Sequence, residues 1–180
     1  MELLKITQEF AEKEKLYALN DEAFPKEERI PSDKLLTLLQ ELGCDAWAFY
    51  EGDFVGFAVL LTDQELQMAY LSYFAIDGAC RSRGYGATAL EKLAEVYEGY
   101  QIVLDMERME ESADNYAQRL RRLAFYERNG YRRAKVGFRY YKMDLEIMCS
   151  QGKFREQDFR KLIGRIRLPG FIPELYPLEG

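Results

Sequence analysis

Between residues 46 and 98 the character of the sequence changes once, and that change limits the fold more than any other feature. Ala46–Tyr50, Phe54–Leu61 and Met68–Ile76 are rich in aromatic and β-branched residues, and Glu51-Gly52-Asp53 and Thr62-Asp63-Gln64-Glu65 connect them. Short polar links between such runs predict an antiparallel meander. After Ile76, the turn Arg81-Ser82-Arg83-Gly84-Tyr85-Gly86 leads into a helical pattern, with Leu90, Leu93, Ala94 and Tyr97 inward and Glu91, Lys92, Glu95 and Glu98 outward. A β-α unit therefore follows an antiparallel one, which calls for a mixed α/β (α+β) architecture.

The remaining elements fit around this changeover. Leu3 to Thr7 reads as a strand, and Phe10 and Tyr17 space a helix that runs to about Asn20. Pro25 and Pro31 then bracket a charged loop with Glu27 and Glu28, after which Ser32 is placed to cap a helix with Leu35, Leu38, Leu39 and Leu42 inward and Gly43 at its end. Ile102 to Met106 is the next strand, and Ala113 to Arg128 the next helix, with Ala117, Leu120 and Ala124 as its buried stripe. Tyr131 to Val136 and Arg139 to Ile147 form a closing hairpin. The expected order is β, α, α, β, β, β, α, β, α, β, β.

Residues 1–148 make one domain on this reading, and 149–180 a tail. Glu156 to Ile163 reads as a short basic helix; beyond it Pro169, Pro173 and Pro177 alternate with Phe171, Ile172, Leu175 and Tyr176. Those apolar residues call for a surface, either the domain itself or a partner subunit, as in a homodimer.

With 180 residues, 48% of them apolar and 31% charged, the chain has enough apolar material for a single core. No apolar run nears the roughly 20 residues of a membrane span, and the first residues lack a signal-peptide core, so a cytoplasmic protein without a membrane partner is expected. The three cysteines, Cys44, Cys80 and Cys149, are far apart and without Cys-x-x-Cys spacing. Buried thiols are expected, not disulfides or a zinc site. Histidine is absent, which removes Ser-His-Asp and Cys-His catalysis and histidine-based metal sites. Proton transfer falls to carboxylates, Tyr, Lys, Cys or water, and no metal is expected. Net charge is −6, with an acidic N-terminal half and a basic C-terminal half. This division suits a cleft for an anionic cofactor and a cationic acceptor, or else it marks solvated faces. No basic stripe with stacking aromatics is visible, so nucleic acid is not an expected partner.

In a glycine-rich turn that opens a helix, backbone N–H groups point outward together and the helix dipole adds partial positive charge, so a phosphate can sit there. Gly84 and Gly86 allow close approach, and Arg81 and Arg83 add charge. Gly84 to Ala89 also fits G-x-G-x-x-A, with Asp105 downstream in the place of a ribose-binding acid. Two features oppose that dinucleotide reading. Asp77 to Arg83 stand between strand and first glycine, and antiparallel strands come first.

Arg81 to Gly86 match the pyrophosphate loop of the GNAT superfamily of N-acetyltransferases: Gln or Arg, two residues, Gly, one residue, then Gly or Ala. A second motif, Ala124-Phe125-Tyr126-Glu127-Arg128-Asn129-Gly130-Tyr131, lies some 40 residues on, separated from the first by the expected helix and strand. From about Leu3 to Ile147 the chain resembles this family; the tail lies outside the resemblance. The resemblance implies a mostly antiparallel sheet of six to seven strands with helices on both faces and a splayed central strand pair. It implies acetyl-CoA as co-substrate, with the backbone of Phe74, Ala75 and Ile76 pairing with the pantetheine arm and Ser82 to Ala87, Tyr85 included, cradling the pyrophosphate.

The same resemblance makes Tyr126 the acid that protonates the leaving sulfur; the alternative is a packing aromatic beside Phe125. Asp105 and Glu107, two apart on a strand, share a face. They would bind an ammonium group or relay its proton, or else be solvated charges or partners of Arg108. Glu27 and Glu28 would line the acceptor side. Many relatives carry asparagine seven residues before the tyrosine, where this chain has Arg119, with Asn115 one turn earlier; Arg119 would reach a cofactor phosphate instead. The expected activity is acetylation of a small cationic primary amine. The alternatives are a protein N-terminus or lysine as acceptor, or an acyl-CoA-binding sensor without transferase activity.

Overall fold

Local pattern becomes eight mostly antiparallel strands and five helices over residues 1–179, which the computed structural model describes. In chain order they are β1 (Glu2–Lys5), α1 (Lys13–Ala23), α2 (Ser32–Glu41), β2 (Asp45–Glu51), β3 (Asp53–Asp63), β4 (Met68–Ile76), α3 (Tyr85–Val96), β5 (Gln101–Glu107), α4 (Tyr116–Arg128), β6 (Arg132–Tyr140), β7 (Met143–Cys149), α5 (Glu156–Ile163) and β8 (Glu174–Pro177). The elements expected from the sequence occur in the expected order. The chain divides into two compact units, unit 1 comprising Met1–Thr62 and Leu71–Glu98, and unit 2 comprising Asp63–Tyr70 and Gly99 onward. β4 thus starts in unit 2 and continues in unit 1.

In unit 1 the strand order is β1-β2-β3-β4. β1 and β2 are antiparallel, with Leu3 opposite Phe49, and β2 and β3 form the tight hairpin through Gly52, whose φ of 82° a residue with a side chain seldom adopts. β3 is buried from Phe54 through Leu61, as a strand covered on both faces must be. Leu16 and Leu19 of α1 and Leu35, Leu36 and Leu39 of α2 pack with Ala46, Ala48, Phe57 and Val59. Each buried leucine is worth about 1.5–3 kcal/mol, so these five anchor both helices.

Two expectations for α2 need correcting. Leu36 is buried where Leu38 and Leu42 were expected, the latter two being half-buried. Ser32 is not its cap either: Pro31 takes that position, and the Ser32 hydroxyl donates to Asp21 Oδ1 (2.7 Å) while accepting from Asn20 Nδ2 (3.0 Å). A serine that finds partners across the loop gives up the local bond to its own helix. In α3, likewise, Ala89 is buried and Ala94 exposed.

In unit 2 the order, beginning from the start of β4, is β4-β5-β7-β6-β8. The closing hairpin turns at Tyr141-Lys142, not at Gly137-Phe138, because Gly137 lies within β6. A β-carbon there would stand 2.5 Å from a ring carbon of Tyr176 on β8, so the glycine makes room for a side chain and does not bend the chain. β6 is irregular earlier: residues 134–136 stand opposite Ile147 alone, and Lys135 has a φ of 56°. β8 brings the strands to eight by pairing antiparallel with β6, Leu175 opposite Phe138. α5 buries Phe159, Leu162 and Ile163, with the Phe159 ring 5.6 Å from Phe138 and 5.3 Å from Tyr70. Residues after 148 therefore contribute to the core of unit 2.

α4 departs furthest from its expected stripe. Ala117 and Leu120 are exposed, and Tyr126 is the one buried residue of the helix. Arg119, Arg122 and Tyr126 follow helical spacing along the face turned towards β5, so polar groups occupy the stripe expected to be apolar.

Cys149 is buried, whereas Cys44 and Cys80 are half-buried. All three are free thiols. The expectation of burial thus holds for one cysteine; the other two lie just after α2 and in the turn before α3, where cover is incomplete.

Candidate functional site

In unit 1, a 3₁₀ turn at Gly78–Cys80 follows β4, with Asp77 Oδ1 accepting the Ala79 N–H at 2.8 Å. The chain then passes through two left-handed positions, Ser82 (φ 62°) and Gly84 (φ 82°), before α3 begins at Tyr85. Gly84 is the N-cap. No side chain caps this end and the first turn holds no acid, so its N–H groups and partial positive charge stay available to an anion. Nothing lies within 4 Å of a β-carbon built on Gly84. Its torsion, not its size, requires glycine.

The two loop arginines differ. Arg81 turns back, donating from Nε to the Ile76 carbonyl (3.3 Å) and pairing with Glu22 (3.7 Å). Arg83 is exposed and has no side-chain partner among the described residues. Ahead of the loop, Phe74 and Ile76 are half-buried and Ala75 is buried. Ala75 owes its position to Gly56 on β3, where a β-carbon would collide with the Ala75 carbonyl oxygen and stand 2.9 Å from Ile76 Cδ1.

Also in unit 1, the segment between α1 and α2 is pinned from several sides. The Tyr73 hydroxyl accepts the Ile30 N–H (2.9 Å), Asn20 Nδ2 donates to the Ile30 carbonyl (3.0 Å), and Arg29 donates to the Phe24 carbonyl (2.8 Å) while pairing with Asp21 (3.0 Å). Glu27 and Glu28 lie in this segment and are exposed, the Glu28 carbonyl facing the Tyr73 hydroxyl at 3.5 Å. Tyr73 and Asn20 carried no recognisable signal in the sequence, since each acts on residues ten or more positions away.

In unit 2, Asp105 and Glu107 are both half-buried on β5, but they have different partners. Asp105 accepts the Tyr70 hydroxyl hydrogen. Glu107 pairs with Arg122 and accepts from Asn115 Nδ2 at 3.4 Å. Arg108 pairs instead with Asp144 (3.2 Å) and reaches Tyr176. Arg119 donates from Nε to Asn115 Oδ1 (2.7 Å) and from a terminal nitrogen to the Arg108 carbonyl (2.7 Å). Of the partners of Asp105 and Glu107, Tyr70 and Arg122 were not singled out from the sequence. Arg122 had a signal, since it stands one turn before Tyr126 on α4. Tyr70 had none, because only strand neighbourhood brings it to Asp105.

Tyr126 is 8% exposed, its ring 5.3 Å from Phe125 and 5.8 Å from Tyr131. Its hydroxyl has no hydrogen-bond partner among the described residues. Burial pushes its pKa from 10.0 up to about 12; Arg122 opposes the rise, and Asp105 and Glu107 add to it. The phenol is thus held neutral beside two carboxylates and a guanidinium, a state suited to giving up a proton only when a strong base forms next to it.

Residues 13–131 match the family model described as "Acetyltransferase (GNAT) family". The chain belongs to the GNAT acetyltransferase family. It is accordingly an acetyl-CoA-dependent acyltransferase. Solved structures agree in fold. A Bacteroides thetaiotaomicron protein assigned to the GNAT family superposes with a TM-score of 0.72 at 23% identity, covering 92% of this chain and 95% of its own. The ribosomal-protein-S18-alanine N-acetyltransferase of Escherichia coli gives 0.59 at 21%, covering 86% and 98%. The aminoglycoside 6'-N-acetyltransferase of Enterococcus faecium gives 0.56 at 18%, covering 83% and 96%. No curated protein matches the chain closely in sequence. Among the described residues no helix is long and apolar enough to cross a membrane, and no group of His, Cys, Asp and Glu is arranged to hold a metal ion.

The buried phenols of this GNAT chain have a measurable consequence. Burial raises Tyr131 and Tyr70 as well as Tyr126 above the ordinary phenol range. As pH climbs from 10.0 towards 12, the unfolded chain releases phenolic protons that the native chain retains, so native stability falls. The loss is about 1.4 kcal/mol per pH unit for each such tyrosine. Melting temperature is expected to drop steeply above pH 10, and less steeply in Tyr126→Phe; equal slopes would contradict the assignment of Tyr126 to this group.

Proposed function

We propose that this GNAT enzyme transfers the acetyl group of acetyl-CoA to a primary amine on a small cationic molecule, with Tyr126 as general acid. The observation that carries the reading is the buried, unengaged, neutral phenol of Tyr126 beside Asp105 and Glu107. The donor side is supported by the uncapped start of α3, the two left-handed positions before it and the unpaired Arg83. A pyrophosphate would be held by the N–H groups of residues 82–87 and by Arg83, and the pantetheine arm by backbone groups of Phe74, Ala75 and Ile76. Bound there, the co-substrate supplies an activated acyl carbon. Arg119 is assigned to a cofactor phosphate through its remaining guanidinium hydrogens.

When the amine nitrogen bonds to that carbon and the carbon–sulfur bond breaks, Tyr126 gives its proton to the departing sulfur. Asp105 accepts the proton released by the amine, through water, while Tyr70 holds its carboxylate in place. Glu107, already paired with Arg122, keeps that guanidinium beside the phenol. The exposed carboxylates of Glu27 and Glu28 attract a cationic acceptor. Two structural relatives are named as N-acetyltransferases of aminoglycosides and of an alanine of ribosomal protein S18, so amine acceptors are in keeping with the fold.

Purified protein should bind acetyl-CoA in a calorimetric titration and gain about 2.7 kcal/mol of stability at a hundredfold excess over Kd. It should release free thiol when small polyamines or aminoglycosides are added, and more slowly with uncharged amines or N-terminal peptides. Binding without thiol release for any amine would identify a sensor and sink the transferase reading for this chain.

A further inference from the structure

The loop from β7 to α5 is shaped by a buried glutamine. Gln101, 4% exposed, donates from Nε2 to the carbonyls of Gln151 (2.6 Å) and Lys153 (3.0 Å), and its Oε1 accepts the Arg155 N–H (3.0 Å). Facing this fixed loop is the irregular stretch of β6 at residues 134–136. Together they line an open pocket of about 730 Å³ within unit 2, with walls that include Arg132, Val136, Lys153 and Phe154.

Most charges around the pocket are compensated. Arg133 is tied in a fork to Glu146 (2.8 and 2.7 Å), Arg155 reaches Asp158 (3.4 Å) and the carbonyls of Leu66 and Gln67, and Glu156 pairs with Arg160 (2.6 Å). Among the described residues neither the Arg132 nor the Lys153 side chain makes a hydrogen bond or an ion pair, the group that Arg132 acts on electrostatically being the neutral Cys149 thiol. Two uncompensated positive charges therefore remain at a preformed pocket, in a chain of net charge −6.

We propose that this pocket binds a small organic phosphate, its head group at Arg132 and Lys153 and its apolar part against Val136 and Phe154. A phosphate monoester is largely a dianion at neutral pH and can satisfy both cations at once, whereas a single carboxylate leaves one over. The volume exceeds what an inorganic ion needs, and the apolar wall gives a carbon skeleton something to bury. Because Gln101 holds the loop beforehand, little ordering opposes binding. The site is independent of the acetyl-donor reading, since none of its residues belongs to the donor loop.

The test is a titration of the full-length protein with phenyl phosphate, and separately with inorganic phosphate, followed by backbone amide resonances. Phenyl phosphate is expected to shift the Gly152 and Lys153 amides saturably, and at lower concentration than inorganic phosphate. In Arg132→Ala/Lys153→Ala the affinity read from those amides should fall by about tenfold or more. Both residues are exposed, so the fold and the response of Gly84 and Gly86 should be unchanged. Arg83→Ala should do the reverse, altering the response at Gly84 and Gly86 alone. Shifts confined to Gly84–Ala87, or a double variant that binds as tightly as the parent, would overturn the proposal. Equal affinity for the two probes would also overturn it, since the apolar wall would then contribute nothing.

Discussion

Tyr126→Phe is expected to lower turnover by about 10²- to 10⁴-fold, the range over which a positioned general acid accelerates such a step, with little change in acetyl-CoA affinity. The ring keeps its contacts with Phe125 and Tyr131. The lost hydroxyl leaves no protein group unsatisfied, because it has no hydrogen-bond partner among the described residues. Folding stability near neutral pH should therefore move by less than about 1 kcal/mol, and a fall in rate cannot be charged to unfolding. A proton donor active only in the bond-breaking step lowers kcat and kcat/KM together. Its pKa of about 12 further means that the parent enzyme should lose no activity through Tyr126 ionisation between pH 7 and about 10. Turnover within a factor of about two of the parent would remove Tyr126 from the mechanism and leave it a packing aromatic.

Gly56→Ala should have the largest effect on the fold. The added carbon would meet the backbone oxygen of Ala75 inside contact distance, with Ile76 Cδ1 at 2.9 Å and the Phe49 ring at 3.2 Å. A side chain could swing away, but a carbonyl in a strand cannot move without its neighbours. Overpacking of this kind costs about 1–3 kcal/mol or more, which for a chain of this length corresponds to a fall of roughly 2–12 °C in Tm. The displaced group also belongs to the segment proposed to bind pantetheine, so acetyl-CoA affinity should weaken as well. Gly52→Ala is the comparison: that position has a φ of 82° but nothing within 4 Å, so its cost is left-handed strain alone, about 1–2 kcal/mol, with no change in acetyl-CoA affinity. If Gly56→Ala melts no lower than Gly52→Ala and binds acetyl-CoA normally, the close β3–β4 approach is not what positions Ala75.

Much of unit 1 was legible because its signals are local. The meander shows in alternating runs and short links, and the turn before α3 in its glycines, of which Gly84 takes the left-handed torsion. Where the sequence misled, a distant neighbour had overridden a local rule. Gly137 reads as a turn residue until Tyr176, 39 residues later, is seen to fill the space beside it. Ala117 and Leu120 read as a buried stripe, yet the face of α4 towards β5 is set by Arg122 and Tyr126 meeting Glu107 and its surroundings. Ser32 reads as a cap, but its hydroxyl serves Asp21 and Asn20 across the loop.

By itself, then, the amino-acid sequence determined the order of the elements from β1 to β7 and the glycine turn that opens α3, since both depend on torsional preference or periodicity among near neighbours, and it carried the two motifs that resemble the GNAT family. Only the tertiary structure decided the rest. It paired Glu107 with Arg122 and Asp105 with Tyr70, turned Arg81 away while leaving Arg83 unpaired, and placed Arg132 and Lys153 at one pocket. Such pairings depend on strand register and burial, which are settled by groups from all over the chain competing for the same partners and the same space.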